Sequence, residues 1–178
     1  MGFALRGDYG LQVFNSQAEK EYKRLGFQSL TVSFELKLAQ IRDLSKAVDT
    51  EMIAYGRLPL MITENCLVQN ETGCRLDRQG PCVPEDGPCR CGQPNVLVDR
   101  TGAAFPLLPA YGHRTEIQNS KPLYLADRPE HRRLGLAYAR LRFTTETAEE
   151  CVSVVQNYLD AAPAAGDFTR GLYERGVE

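Results

Sequence analysis

The chain has 178 residues, the size of one ordinary domain, and its 43% hydrophobic and 25% charged residues permit a sizeable core. A net charge of -2 argues against a strongly basic nucleic-acid surface, though a local basic groove remains compatible with it. The uncharged run from Leu58 to Thr63 is too short to span a bilayer, and Met1 to Asp8 show no apolar signal core, so the sequence predicts no membrane span and a cytoplasmic location.

Strand and helix signals alternate over the first sixty residues. Gly10 to Phe14 is short and apolar and predicts a buried strand. Asn15 and Ser16 offer an N-cap for a helix through Ala18 to Leu25, which Gly26 ends. Ser29 to Phe34 is rich in β-branched residues and predicts a second strand. Leu36, Leu38, Ile41 and Leu44 recur at helical period within a predicted helix from Leu36 to Ala47, and Glu51 to Tyr55 predicts a third strand. This β-α-β-α-β order implies a parallel sheet with right-handed crossovers. Functional groups of such a sheet gather at the C-terminal ends of its strands, where Asn15, Glu35, and Tyr55 with Arg57 stand, and Asn15, Glu35 and Arg57 are the candidate catalytic residues. Asp8, Glu35 and Glu51 could act as acids or bases, and equally could anchor loops. Arg57 suits a carboxylate or phosphate substrate, or a structural ion pair.

Residues 76 to 94 have loop composition. Asn95 to Val98 and Ala103 to Leu108 predict a hairpin around Asp99-Arg100-Thr101-Gly102. Short extended pieces are expected at Ile117, Leu123 to Ala126 and Arg140 to Phe143. Thr145 to Leu159 predicts an amphipathic helix with Thr144 or Thr145 as cap and Ala148, Cys151, Val152, Val155 and Leu159 on its buried face. Arg128, Arg132, Arg133, Arg140 and Arg142 form a basic stretch that could meet RNA phosphates, though a solvated face is the commoner outcome. The fold class expected from this pattern is α/β. Residues 1–65 are expected to form the C-terminal part of a parallel (β/α) barrel, and residues 66–178 a cysteine-bearing mixed α+β region with short strands and a C-terminal helix. Three strands and two helices are less than half a barrel and leave open edges, which suggests a missing N-terminal barrel half as a partner.

Five of the six cysteines, Cys66, Cys74, Cys82, Cys89 and Cys91, are clustered, and Cys151 stands alone. In a reducing compartment clustered thiols read as metal ligands before they read as disulfides. No pair has the C-x-x-C spacing of a zinc ribbon, and long unequal spacings suit a centre held by loops from separate elements. Protease signatures are weak, with no H-E-x-x-H, no G-x-S-x-G and two histidines, His113 and His131.

The run Glu51-Met-Ile-Ala-Tyr-Gly-Arg-Leu-Pro-Leu-Met-Ile-Thr-Glu-Asn-Cys66 resembles the segment that marks the peptidase U32 family. Arg6-Gly-Asp8, Asn15-Ser16, Ser33-Phe-Glu35-Leu36, Asp99-Arg100 with Phe105-Pro106, Ile117 with Asn119-Ser120, and Phe168-Thr-Arg-Gly171 support the likeness. The family carries a peptidase or collagenase-like protease name, while relatives resemble oxygen-independent hydroxylation proteins for RNA or the ubiquinone ring that hold a 4Fe–4S cluster. The resemblance therefore implies cluster ligands at Cys66, Cys74 and Cys91. Cys89 or Cys82 is then the fourth ligand, with His113 as the alternative, because His113 stands where many members have a cysteine. Zinc is the alternative metal, and RNA or a small molecule the implied substrate. A truncated chain inactive alone is the third reading.

Overall fold

The structure is a computed structural model that describes residues 3–72 and 90–175. Its fold is mixed α/β and divides into two compact units, residues 1–56 with 122–178, and residues 57–121. The predicted boundary at 65/66 falls within the second unit.

The first unit is built on a parallel sheet. Strand β1 (Leu5–Gly7) pairs parallel with β2 (Phe27–Thr31), and β2 pairs parallel with β3 (Asp49–Gly56). The expected strand at Gly10 to Phe14 does not form. Asp8 instead caps a 3-10 turn at Tyr9–Leu11, and Gln12 turns left-handed at φ 50°, which breaks the extended path. Val13 keeps a single parallel bridge to Val32, and both side chains are fully buried. The first strand therefore lies upstream of its expected position.

Helix α1 (Ser16–Arg24) joins β1 to β2. The Asn15 side chain accepts a hydrogen bond from the Ala18 N–H at 2.9 Å, the predicted N-cap, and Gly26 closes the exit at φ 93°. Helix α2 (Leu38–Asp43) is half the expected length. Leu44 is already extended, and the Lys46 ammonium caps the end by donating to the carbonyls of Ile41, Arg42 and Leu44. The α1 residue Glu19 is fully buried, and its carboxylate accepts from Ser45 Oγ at 2.8 Å and Thr50 Oγ1 at 3.2 Å.

The chain from Pro122 returns to this sheet. Among its described residues are β8 (Leu123–Tyr124), a 3-10 turn at Pro129–Arg133, β9 (Tyr138–Leu141) and α4 (Ala148–Asp160). β8 pairs antiparallel with the end of β3, Tyr55 opposite Tyr124, and β9 pairs parallel with β3. Tyr55, Tyr124 and Ala126 form a core cluster with Leu141, Phe143, Val154, Tyr158 and Phe168 packed against it. The Tyr158 hydroxyl donates to Ala54 O at 2.5 Å and accepts from the Leu125 N–H at 2.8 Å. Burial pushes its ionisation far above the ordinary value, so it stays a neutral structural bridge. Thr147, rather than Thr144 or Thr145, caps α4 in a reciprocal box with Glu150. The buried face also differs from expectation. Val154 and Tyr158 pack inward, whereas Val152, Val155 and Leu159 are exposed. The aromatic ring of Tyr158 is the better anchor because its hydroxyl reaches two backbone groups while its body fills the core.

The second unit is an antiparallel sheet of β4 (Pro59–Thr63), β5 (Asn95–Val98), β6 (Ala104–Ala110) and β7 (Arg114–Gln118) in the order β4-β7-β6-β5, with a short helix α3 (Leu67–Thr72). The β5–β6 hairpin is the predicted one. Asp99 holds its turn by accepting from the Thr101 hydroxyl and from the Thr101 and Ala103 N–H groups, which keeps its carboxyl below the usual range. No closed barrel forms among the described residues, and no described helix is long and apolar enough to cross a membrane.

Candidate functional site

Two of the predicted ligands come together in the second unit. Cys66 is the residue before α3, and the geometry there is set by Thr115 of β7. The Thr115 hydroxyl accepts from the Leu67 N–H at 3.0 Å, and Thr63 Oγ1 donates to Asn65 O at 2.6 Å, so the chain turns from β4 into α3 at Cys66. Cys66 is a free thiol, 5% exposed, and forms a buried cluster with Val68 and Leu107. Cys91 packs against that same cluster together with Leu67 and Ile117. It sits in a 3-10 turn, Arg90–Gly92, which Asn95 fastens by donating from Nδ2 to Arg90 O at 2.9 Å and Gln93 O at 2.7 Å. Two cysteines distant in sequence thus share one apolar nest. That shell would shield a thiolate-bound centre from water.

Cys74, Cys82 and Cys89 lie outside the described residues. Among the described residues no three His, Cys, Asp or Glu side chains gather into a metal-binding group. His113 occupies the turn between β6 and β7 at φ 59°, next to Gly112 at φ 75°. Cys151 belongs to α4 in the first unit, whereas the thiol pair belongs to the second. Both described thiols have the chemistry of a soft-metal ligand, and Cys91 packs against the cluster that contains Cys66.

The catalytic candidates are placed differently. Asn15 uses its side chain on the α1 cap. Glu35 follows β2, where its N–H donates to Ser33 Oγ at 3.3 Å. The Arg57 guanidinium donates to Asn119 O at 3.0 Å and to Ser120 O. Those bonds, with the Asn119 N–H donating to Leu58 O at 2.8 Å, tie the first residues of the second unit to its last. These contacts give Asn15 and Arg57 structural work.

A constellation the sequence did not display lies on the parallel sheet. Arg140 of β9 pairs with Asp8 at 2.6 Å and with Glu51 of β3 at 2.6 Å, while Thr31 of β2 donates to the same Glu51 oxygen at 2.7 Å. The network therefore joins three strands and the turn after a fourth. Asp8 is 132 positions from Arg140, so no local signal could have paired them. Arg142 lies over the Tyr9 ring at 5.7 Å. Arg128 pairs with Glu174, and Arg132 donates to Tyr158 O. Most of the basic stretch is therefore engaged within the fold.

His131 is buried, with Nδ1 donating to Arg128 O. Burial holds its pKa below the ordinary imidazole value. Asp127 and Arg170 form a two-pronged pair at 2.6 and 2.7 Å, and the Arg170 hydrogen bonds hold the Asp127 carboxyl below the usual range.

No curated protein and no solved structure shows significant similarity to the chain. The profile described as Peptidase family U32 matches residues 3–100, which include β1 to β5 and the Cys66–Cys91 nest and make up more than half of the chain, and the chain belongs to that family.

Proposed function

We propose that the second unit binds an iron–sulfur cluster through cysteine thiolates and that the protein serves oxygen-independent hydroxylation of RNA or a small molecule. The observation that supports this reading is that partly buried Cys91 packs against the buried cluster of Cys66, although the two come from elements far apart in sequence. Cys74 and Cys89, between them in the chain, are the natural remaining ligands, with His113 as the alternative fourth. A bound cluster would supply one-electron chemistry. The chain's own residues would hold it, exclude water through Val68, Leu107 and Ile117, and fix the turn at Cys66 through the Leu67 N–H bond to the Thr115 hydroxyl. A zinc ion on the same thiolates is the redox-silent version of this site.

Anaerobic purification of the full chain followed by iron and acid-labile sulfide analysis tests the reading. The wild type should carry iron and sulfide together, and Cys66→Ala should lose most of both, because one iron is left without its thiolate. Cys151→Ala should keep wild-type content. If the wild type binds neither iron nor zinc, and peptide hydrolysis persists after chelation, the hydrolytic reading carried by the family's description takes its place.

A further inference from the structure

A cleft of about 290 Å³ opens within the first unit among α4, β9 and the turn at Pro129–Arg133. Its lining is chiefly apolar, with Leu136, Tyr138 and Leu141 from in and just before β9 and Val155 and Leu159 from α4. His131 is the exception. It lines the cleft and yet is only 5% exposed, and its ring stands edge-on to Tyr158 with the centroids 6.3 Å apart.

The state of that ring follows from its one hydrogen bond. The Arg128 carbonyl can only accept, so Nδ1 carries the hydrogen, and burial favours the neutral imidazole. Nε2 is then a bare acceptor. It makes no hydrogen bond with the described residues, and it is not among the side-chain atoms sealed from solvent without a partner. Nε2 therefore meets open space, and the open space that His131 borders is this cleft. Most buried polar side-chain atoms are paired, and an apolar pocket with one open polar group has the makeup of a small-molecule site.

We propose that the cleft binds a small neutral molecule, an apolar body of one or two rings whose single N–H or O–H donates to His131 Nε2. The volume sets the size, since an apolar cavity of about 150 Å³ holds one benzene ring and pockets for larger ligands begin near roughly 300 Å³. The acceptor sets the chemistry. Nε2 presents a lone pair, so it pairs with a donor and repels an anion. The Arg132 guanidinium, which also lines the cleft, donates to Tyr158 O. The site belongs to the first unit and is independent of the thiols of the second.

Indole and 1-methylindole, titrated into the full chain, test the proposal, because they share a two-ring body and differ in the N–H. Amide NMR shifts of Ala137, Ala139, Val155 and Leu159, all of which line the cleft, read binding at the site. Indole should saturate with a Kd between about 10 µM and about 1 mM. 1-Methylindole should bind at least about tenfold more weakly, because it leaves Nε2 unpaired. His131→Phe keeps a ring and removes the acceptor, so the two ligands should then bind alike. Ala137→Phe, at an exposed lining position, should fill the cleft and abolish binding of both with the circular dichroism unchanged. Absence of saturable shifts with indole, shifts centred away from the cleft, or indole binding untouched by Ala137→Phe would overturn the proposal. Equal affinity of the two ligands for the wild type would overturn the part given to His131, and that comparison needs no variant to fold.

Discussion

Gly56 ends β3 with φ at 120°, and a Cβ added there would lie 2.1 Å from the Arg142 carbonyl oxygen and 3.1 Å from the Arg142 Cβ. The neighbour cannot yield easily, because the Arg142 N–H donates to Tyr55 O at 2.9 Å and so fixes the backbone that the new methyl would strike. Two costs add in Gly56→Ala. A positive φ for an L-residue costs about 1–2 kcal/mol, and forcing a backbone carbonyl back by roughly 1 Å in a packed strand pair costs about 1–3 kcal/mol more. The sum, about 2–5 kcal/mol, is a large part of the roughly 5–15 kcal/mol typical of a domain. Two other glycines separate the two contributions. Gly26 has φ 93° with nothing within 4 Å of where a methyl would lie, so Gly26→Ala should show the conformational cost alone, about 1 kcal/mol. Gly10 has neither restriction and should change stability by no more than about 0.5 kcal/mol. Urea unfolding of the three variants, followed by circular dichroism, reads the series directly. If Gly56→Ala costs no more than Gly26→Ala, the close approach of Arg142 to β3 is not a constraint, and the packing of the chain after β9 against β3 is wrong at that point.

The remaining expectations concern ionisation and the thiols. The Asp127 carboxyl titrates below its ordinary value of 3.8 because Arg170 bonds it, so its contribution is present above that value and lost as pH falls through the lowered folded pKa. Asp127→Asn should destabilise at neutral pH by about 1–3 kcal/mol, leaving Arg170 without its charge partner, and should flatten the acid limb of a stability–pH curve. His131 is held below its ordinary 6.5 by burial, so its contribution is full above 6.5 and declines as pH falls from there toward the folded value. His131→Gln should remove that slope in urea midpoints measured between about pH 7 and about pH 5. Iron and sulfide content should fall in Cys66→Ala and hold in Cys151→Ala.

Legibility followed the range of the interaction. Elements set by neighbours in sequence were readable: the Asn15 cap and Gly26 exit of α1, the Asp99 hairpin, the existence of α4, and the parallel order of the first three strands. The boundaries that failed depended on contacts made later. The first strand moved to Leu5–Gly7 because Asp8 captured the Tyr9 N–H and Gln12 turned left-handed. β4 escaped notice because Leu58 to Ile62 run apolar without alternation. The core face of α4 was misread because periodicity shows that a stripe exists and cannot say which of two stripes faces inward.

The cysteines make the same point for the site. The likeness around Glu51 to Cys66 was enough to single out the family from the sequence, and the clustering and spacing of the cysteines named the thiols as candidates. Only the folded chain decided that Cys66 and Cys91 share one apolar nest, that Arg57 binds the carbonyls of Asn119 and Ser120, and that Arg140 joins Asp8 to Glu51. Capping, turn formation and helical periodicity act over a few residues and are written in local residue types. The pairing of a guanidinium with a carboxylate 132 positions away depends on which strands lie side by side, and that is settled by burial of the whole core.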